Sequence, residues 1–111
     1  MICRMWRGWT LAANADAYDS YLKNELLPHV KDELGARGYR GFQLLRKDRE
    51  NEVEFVTMLW FDSLDAVKGF AGASYETPVI SEKAHKLLSH YAERCEHYDL
   101  SGFNGALQEK K

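Results

Sequence analysis

Apolar side chains crowd both faces of one extended run in this chain. In Asn51–Gly72, NEVEFVTMLWFDSLDAVKGFAG, Val53, Phe55, Thr57 and Leu59 fall on one side. Val56, Met58 and Trp60 fall on the other, with Glu54 as the polar interruption. A strand with one wet face alternates strictly, so this pattern predicts a central strand covered from both sides. Asp62 or Ser63 then offers an N-cap oxygen, and Leu64, Val67 and Phe70 recur at helical spacing until Gly72 ends the turn. Helices can cover one face of that strand. The other face calls for a second sheet, and a chain of 111 residues has little left to build one. A second copy is expected to supply it.

The remaining pattern gives the order of elements. Ile2–Leu11 reads as a strand carrying Trp6 and Trp9, with Arg4 and Arg7 on opposite faces and Gly8 marking a bulge or a close backbone approach. From Asn14 the period changes: Tyr18, Leu22, Leu26, Val30 and Leu34 lie four apart, and Tyr21 widens the stripe, as in an amphipathic helix. Asn14 is the expected N-cap, Asp16 and Asp19 suit the positive end of the dipole, and Gly35 and Gly38 close the helix. Pro28 lacks an N–H to donate, so a kink or restart is expected there. Tyr39–Arg46 is the next strand, and Lys47–Asn51 the solvated tip of a hairpin. After a loop over Ala73–Ile80, Ser81 can cap a short helix holding Ala84, Leu87 and Leu88, and Tyr91–Leu100 is the last strand. The order β-α-β-β-α-(α)-β predicts an α+β, ferredoxin-like split βαβ subunit. Its antiparallel four-stranded sheet should have the first and third strands central and the helices on one face. Residues 1–100 form the domain; the polar stretch 101–111 is expected to fray or drape over a partner.

Composition narrows the function classes. Apolar residues at 45% and charged ones at 29% belong to an ordinary globular domain. The formal net charge of −2 gives no electrostatic case for nucleic acid or an anionic membrane. No run approaches a membrane span, and MICRMWRGWT lacks the apolar core of a signal peptide, so a cytoplasmic address is expected. Cys3 and Cys95 are expected as buried thiols on strands, and His29, His85, His90 and His97 form no zinc-ligand spacing. Phosphate loop, dinucleotide fingerprint, HExxH and nucleophile elbow are all missing from the sequence. What remains is aromatic bulk: Trp6, Trp9, Trp60, Phe55, Phe70, Tyr75 and Tyr91 can line a cavity between sheet and helices or simply fill a core.

Several stretches together resemble the antibiotic biosynthesis monooxygenase family. They are Trp6-Arg7-Gly8-Trp9-Thr10, Glu52–Thr57, Trp60–Ala66, Phe70-Ala71-Gly72 and His97-Tyr98-Asp99, and the match spans roughly residues 1–100. The resemblance implies a homodimeric α+β barrel, two ferredoxin-like sheets face to face, each subunit holding a pocket between sheet and helices. It implies oxygenation of a phenolic or quinol-type aromatic with no metal or other cofactor, the substrate anion itself reducing dioxygen. On that basis Tyr75 and His90 are candidates for substrate hydrogen bonding or proton transfer. Trp6, Trp60, Phe70 and Phe55 are candidate apolar walls. Haem-degrading members carry a Trp where this chain has Phe70, and an iron-ligating His where it reads Ser74–Pro78, so haem is not expected. Two other readings stay open on the same scaffold: a non-catalytic dimer binding a small aromatic ligand, and a cofactorless isomerase or cyclase with His90 or Glu54 as base.

Overall fold

The computed structural model describes residues 1–28 and 37–105 of the chain; the expected helical positions Val30, Leu34 and Gly35, together with His29 and the tail beyond 105, lie outside them. Strand β1 (Ile2–Leu11) and strand β3 (Glu52–Phe61) pair antiparallel along their whole length, from Ile2 opposite Phe61 to Leu11 opposite Glu52. Strand β2 (Tyr39–Asp48) forms a hairpin with β3. On the far side of β1 lie β4 (Leu88–Tyr91) and β5 (Glu96–Asp99), both antiparallel to it. The sheet therefore runs β2-β3-β1 and then β4, with β5 beside β4 on the same flank of β1. β1 and β3 are central, as the two-faced apolar pattern requires.

The last strand departs from expectation. It starts at Leu88, which leaves the helix, and it is interrupted over Ala92–Cys95, so the sheet has five strands. The interruption is held on both sides: Ala92 N–H donates to the Arg7 carbonyl at 2.9 Å, and Cys95 N–H to that of Glu76 at 2.7 Å. Cys95 consequently sits off the strand, buried, while Cys3 is buried within β1. Gly8 is the close approach that its position suggested. A Cβ there would come within 2.9 Å of Leu88 Cδ2, beside a register shift between Trp9 and Thr10.

Helix α1 (Ala15–Tyr21) is entered through a 3-10 turn (Ala12–Asn14), and Asn14 makes no side-chain cap. Asp16 and Asp19 instead pair with Arg46 at 2.9 and 3.2 Å. The helix continues as a π turn (Leu22–Leu26), in which Leu27 N–H reaches back to the Leu22 carbonyl. Pro28 accounts for it: its ring would strike the carbonyl four residues back, Asn24, and widening the preceding turn relieves that contact. The extra residue moves the buried position from Leu26 to Leu27, which is 2% exposed. Helix α2 (Leu64–Ala71) is capped by Ser63, whose Oγ accepts from Ala66 N–H at 3.2 Å. Asp62 is engaged elsewhere, gripped by Arg40. Helix α3 (Glu82–Leu87) is capped by Ser81 in the same way.

All three helices cover one face of the sheet. Val53, Phe55, Leu59 and Phe61 of β3 are buried there with Tyr18, Tyr21, Leu22, Leu27, Tyr39, Val67 and Ala84. The opposite residues of β3, from Glu54 to Trp60, stay partly exposed. No helix among the described residues is long and apolar enough to cross a membrane.

Candidate functional site

Between the helical layer and the sheet lies a cavity of about 280 Å³. Its floor comes from inward positions of the central strands, Arg4, Trp6, Thr57 and Leu59. Its roof comes from α1 and the π turn, and its mouth from Phe70 and the segment Pro78–Ser81. The lining is almost entirely apolar. Trp6 is fixed by its indole N–H, which donates to the Ala92 carbonyl at 2.8 Å, so the ring cannot swing into the space. Tyr21 is fixed by a 2.5 Å hydrogen bond between its hydroxyl and that of Ser81, tying α1 to the cap of α3.

Arg4 is the exception to the apolar lining. It occupies an inward position of the central strand and is 4% exposed. Burying a guanidinium costs several kcal/mol unless an anion or a full set of acceptors compensates. Here the acceptors are neutral. Nη1 donates to the Tyr75 carbonyl and lies 3.1 Å from His97 Nε2, and Nη2 donates to the Thr77 carbonyl at 3.3 Å. The Phe70 ring covers the guanidinium at 5.6 Å. Among the described residues no carboxylate pairs with it. Burial lowers its pKa, yet an arginine stays protonated in any protein setting, so the cavity holds a lone positive charge.

The groups around Arg4 are tuned by it and by burial. Burial, and then the charge of Arg4, push the His97 pKa below its ordinary value, so at neutral pH the ring is uncharged and Nε2 can accept from Nη1. Burial raises the Cys95 thiol, partly offset by Arg4. Burial also raises the Tyr18 phenol. The cavity thus presents one cation among groups that are neutral.

The residues singled out from the sequence separate into two sets. Trp6 and Phe70 line the cavity, and Phe55 stands one layer behind it, edge-on to Tyr18 at 4.9 Å. Tyr75 reaches the site through its main chain: its carbonyl holds Arg4, and its ring meets His97 edge-on at 5.2 Å. Trp60 and His90 belong to the opposite face of the sheet. Trp60 donates to Gln43 Oε1 at 3.1 Å. His90 stacks on Trp9 at 4.4 Å and meets Glu52 Oε2 at 2.9 Å. The structure therefore does not bring Tyr75 and His90 together, because the register of β4 puts His90 opposite Trp9, on the outward side. Glu54 shares that outward face. Sequence reasoning missed Arg4 as a site residue, although a charge at an inward position of a strand otherwise read as buried was a usable signal.

No histidine is among the described lining residues of the cavity, and burial drives Cys95 and Tyr18, which also line it, toward their protonated forms. Among the described residues no group of three His, Cys, Asp or Glu side chains gathers as a metal site.

No family model matches the sequence, and no curated protein matches it. Solved structures do. The crystal structure of a protein described as an antibiotic biosynthesis monooxygenase from Bacillus cereus superposes with a TM-score of 0.65 at 14% identity, over 95% of this chain and 97% of that one. The haem degrader MhuD of Mycobacterium tuberculosis, solved with two haems in its active site, matches at a TM-score of 0.54 and 16% identity, over 95% of this chain and 100% of that one. The resemblance read from the sequence therefore holds at the level of the fold: the chain shares the ferredoxin-like α+β fold of these two proteins.

Proposed function

We propose that the cavity between sheet and helices binds a small phenolic or quinol-type aromatic, and that the chain oxygenates it without a cofactor. The observation that carries this reading is the lone buried guanidinium of Arg4 in an otherwise apolar, aromatic-walled space. A flat ring fits between Trp6 and Phe70, and a phenol bound near Arg4 is stabilised as its phenolate. The anion is the electron-rich form that dioxygen can oxidise. A phenolate with an open para carbon gives up an electron, the radical pair forms a peroxide at that carbon, and loss of water leaves a quinone. Phenol and dioxygen thus become quinone and water, with all four electrons that reduce the dioxygen taken from the substrate. The protein's part is desolvation, orientation and charge stabilisation. Trp6 and Phe70 serve as walls, Phe55 supports them through Tyr18, and Tyr75 holds Arg4 from behind.

A second copy of the chain completes the protein in this reading. The outward face carries Met5, Trp9, Val56, Met58 and Trp60, all partly exposed, with Leu45 50% and Tyr98 49% exposed. Arg7 and Glu54 lie among them, 3.9 Å apart, and such a pair can be answered by its symmetry mate across a two-fold axis.

Oxygen uptake tests the activity. With naphthols and naphthohydroquinones in the absence of added metal or flavin, the protein is expected to consume dioxygen stoichiometrically with quinone formation. Tight binding of these compounds without uptake would leave a binding protein and remove the oxygenase.

A further inference from the structure

On the oxygenase reading proposed above, the hydrogen bonds of Arg4 bear on the charge state of the ligand. A guanidinium has five N–H groups in one plane. Three are accounted for: two on Nη1, facing the Tyr75 carbonyl and His97, and one on Nη2, facing the Thr77 carbonyl. The Nε–H and the second N–H of Nη2 have no acceptor among the described residues. Elsewhere in this molecule the same two nitrogens do what they do best: Arg40 Nε and Nη2 hold both oxygens of Asp62 at 2.6 Å each. In Arg4 the equivalent pair belongs to a side chain that is 4% exposed and lines the cavity.

The nearby carboxylate, Glu76, acts on His97 and forms no ion pair with Arg4 among the described residues, and the remaining polar groups supply no anion. Burial holds the Cys95 thiol toward its neutral form. His97 carries no negative charge in either protonation state. Tyr75, the Thr77 carbonyl and Phe70 offer neutral partners alone. A largely buried cation with two unused donors is complementary to an oxyanion, and Trp6 and Phe70 give the cavity aromatic walls.

We infer that the cavity is selective for aromatic oxyanions, held side-on by Nε and Nη2 of Arg4, and that Arg4 is the specificity-determining residue. Carboxylate and phenolate share this chemistry. His97 acts as a positioning residue, fixing the guanidinium plane through Nη1.

Calorimetric titration under nitrogen tests the inference without requiring turnover, and so separates it from the oxygenase reading on which it rests. The probes are 2-naphthoate, its neutral isostere 2-naphthamide, and 2-naphthol. The wild-type protein should bind naphthoate about 10- to 100-fold more tightly than the amide, the range expected for a buried charge-assisted pair. Arg4→Met should abolish that preference by weakening naphthoate alone, with amide affinity unchanged. Arg4→Lys, which keeps the charge and loses the fork, should retain part of it. If Arg4→Met does not fold, the wild-type ratio and the Arg4→Lys ratio decide the matter. Equal affinity for acid and amide in the wild type overturns the inference while leaving the cavity as a binding site. Binding of none of the three overturns both. Proton release on naphthol binding supports a phenolate ligand; preference for naphthoate with no affinity for naphthol supports the inference and points to an aromatic acid, which would sink the phenolic substrate.

Discussion

The two faces of this sheet are made of similar residues and have different fates. On the helical face Val53, Phe55, Leu59 and Phe61 lie at 3%, 1%, 9% and 1% exposure. On the outward face the alternate positions of the same strand, Val56, Met58 and Trp60, remain partly exposed in the single chain. The helical face also holds the buried cation Arg4 and the cavity, whereas the outward face keeps its polar pairs at the surface, with Arg7 beside Glu54 and His90 beside Glu52. Hydropathy is therefore a poor guide to which side carries the site. The difference lies in what covers each face. A helical layer packs imperfectly over a twisted sheet and leaves room for a ligand, while a flat apolar face asks for a complementary face.

The comparison can be broken by substitution on each side. Phe55→Ala on the helical face should cost about 3–5 kcal/mol of folding free energy, since it empties a buried site against Tyr18. A urea midpoint close to that of the unmodified protein would mean that this face is not the core. Met58→Glu on the outward face should leave the fold intact and abolish self-association. The proposed dimer would bury ~800 Å² per subunit and persist at micromolar concentration. Light scattering that gives a monomer for the unmodified chain at low micromolar concentration would remove the second copy, and with it the reason for the apolar outward face.

Acid sharpens the contrast next. His97 on the helical face has a pKa lowered from its ordinary 6.5, first by burial and then by Arg4. The unfolded chain then binds more protons than the folded one below that value. The stability contribution of neutral His97 is present above pH 6.5 and is lost as pH falls from there through the depressed folded value. Chemical denaturation at pH 7.5 and at pH 5.5 should show this loss, and His97→Asn should flatten the slope. An unaltered slope in that variant would assign the acid sensitivity to other groups.

The smallest effect concerns Thr10, fully buried on the helical side with a hydroxyl that has no hydrogen-bond partner among the described residues. Thr10→Val keeps the shape and removes the orphaned oxygen, so stability should rise by about 1 kcal/mol. A fall in melting temperature would show that the hydroxyl is satisfied in solution.

Local pattern was enough to place most of the architecture. The two-faced run at Val53–Trp60, the capping Ser63 and Ser81 and the glycine at position 8 each reflect forces acting within a few residues, so their consequences were legible in order along the chain. The resemblance to a monooxygenase scaffold was legible for the same reason, since short motifs mark turns and strand ends. Three features depended on residues far apart. The π turn before Pro28 shifted the buried position by one, which spacing alone does not reveal. The interruption at Ala92–Cys95 split the last strand and left His90 on the outward side, so a plausible proton-handling residue was separated from Tyr75 by the thickness of the sheet. Arg4 gained its meaning from the carbonyls of Tyr75 and Thr77 and from His97, all more than 70 residues away in sequence. A sequence states which residues are charged or apolar. Whether a charge has a partner is a property of three-dimensional neighbours, and here that decided which residue gives the cavity its chemistry.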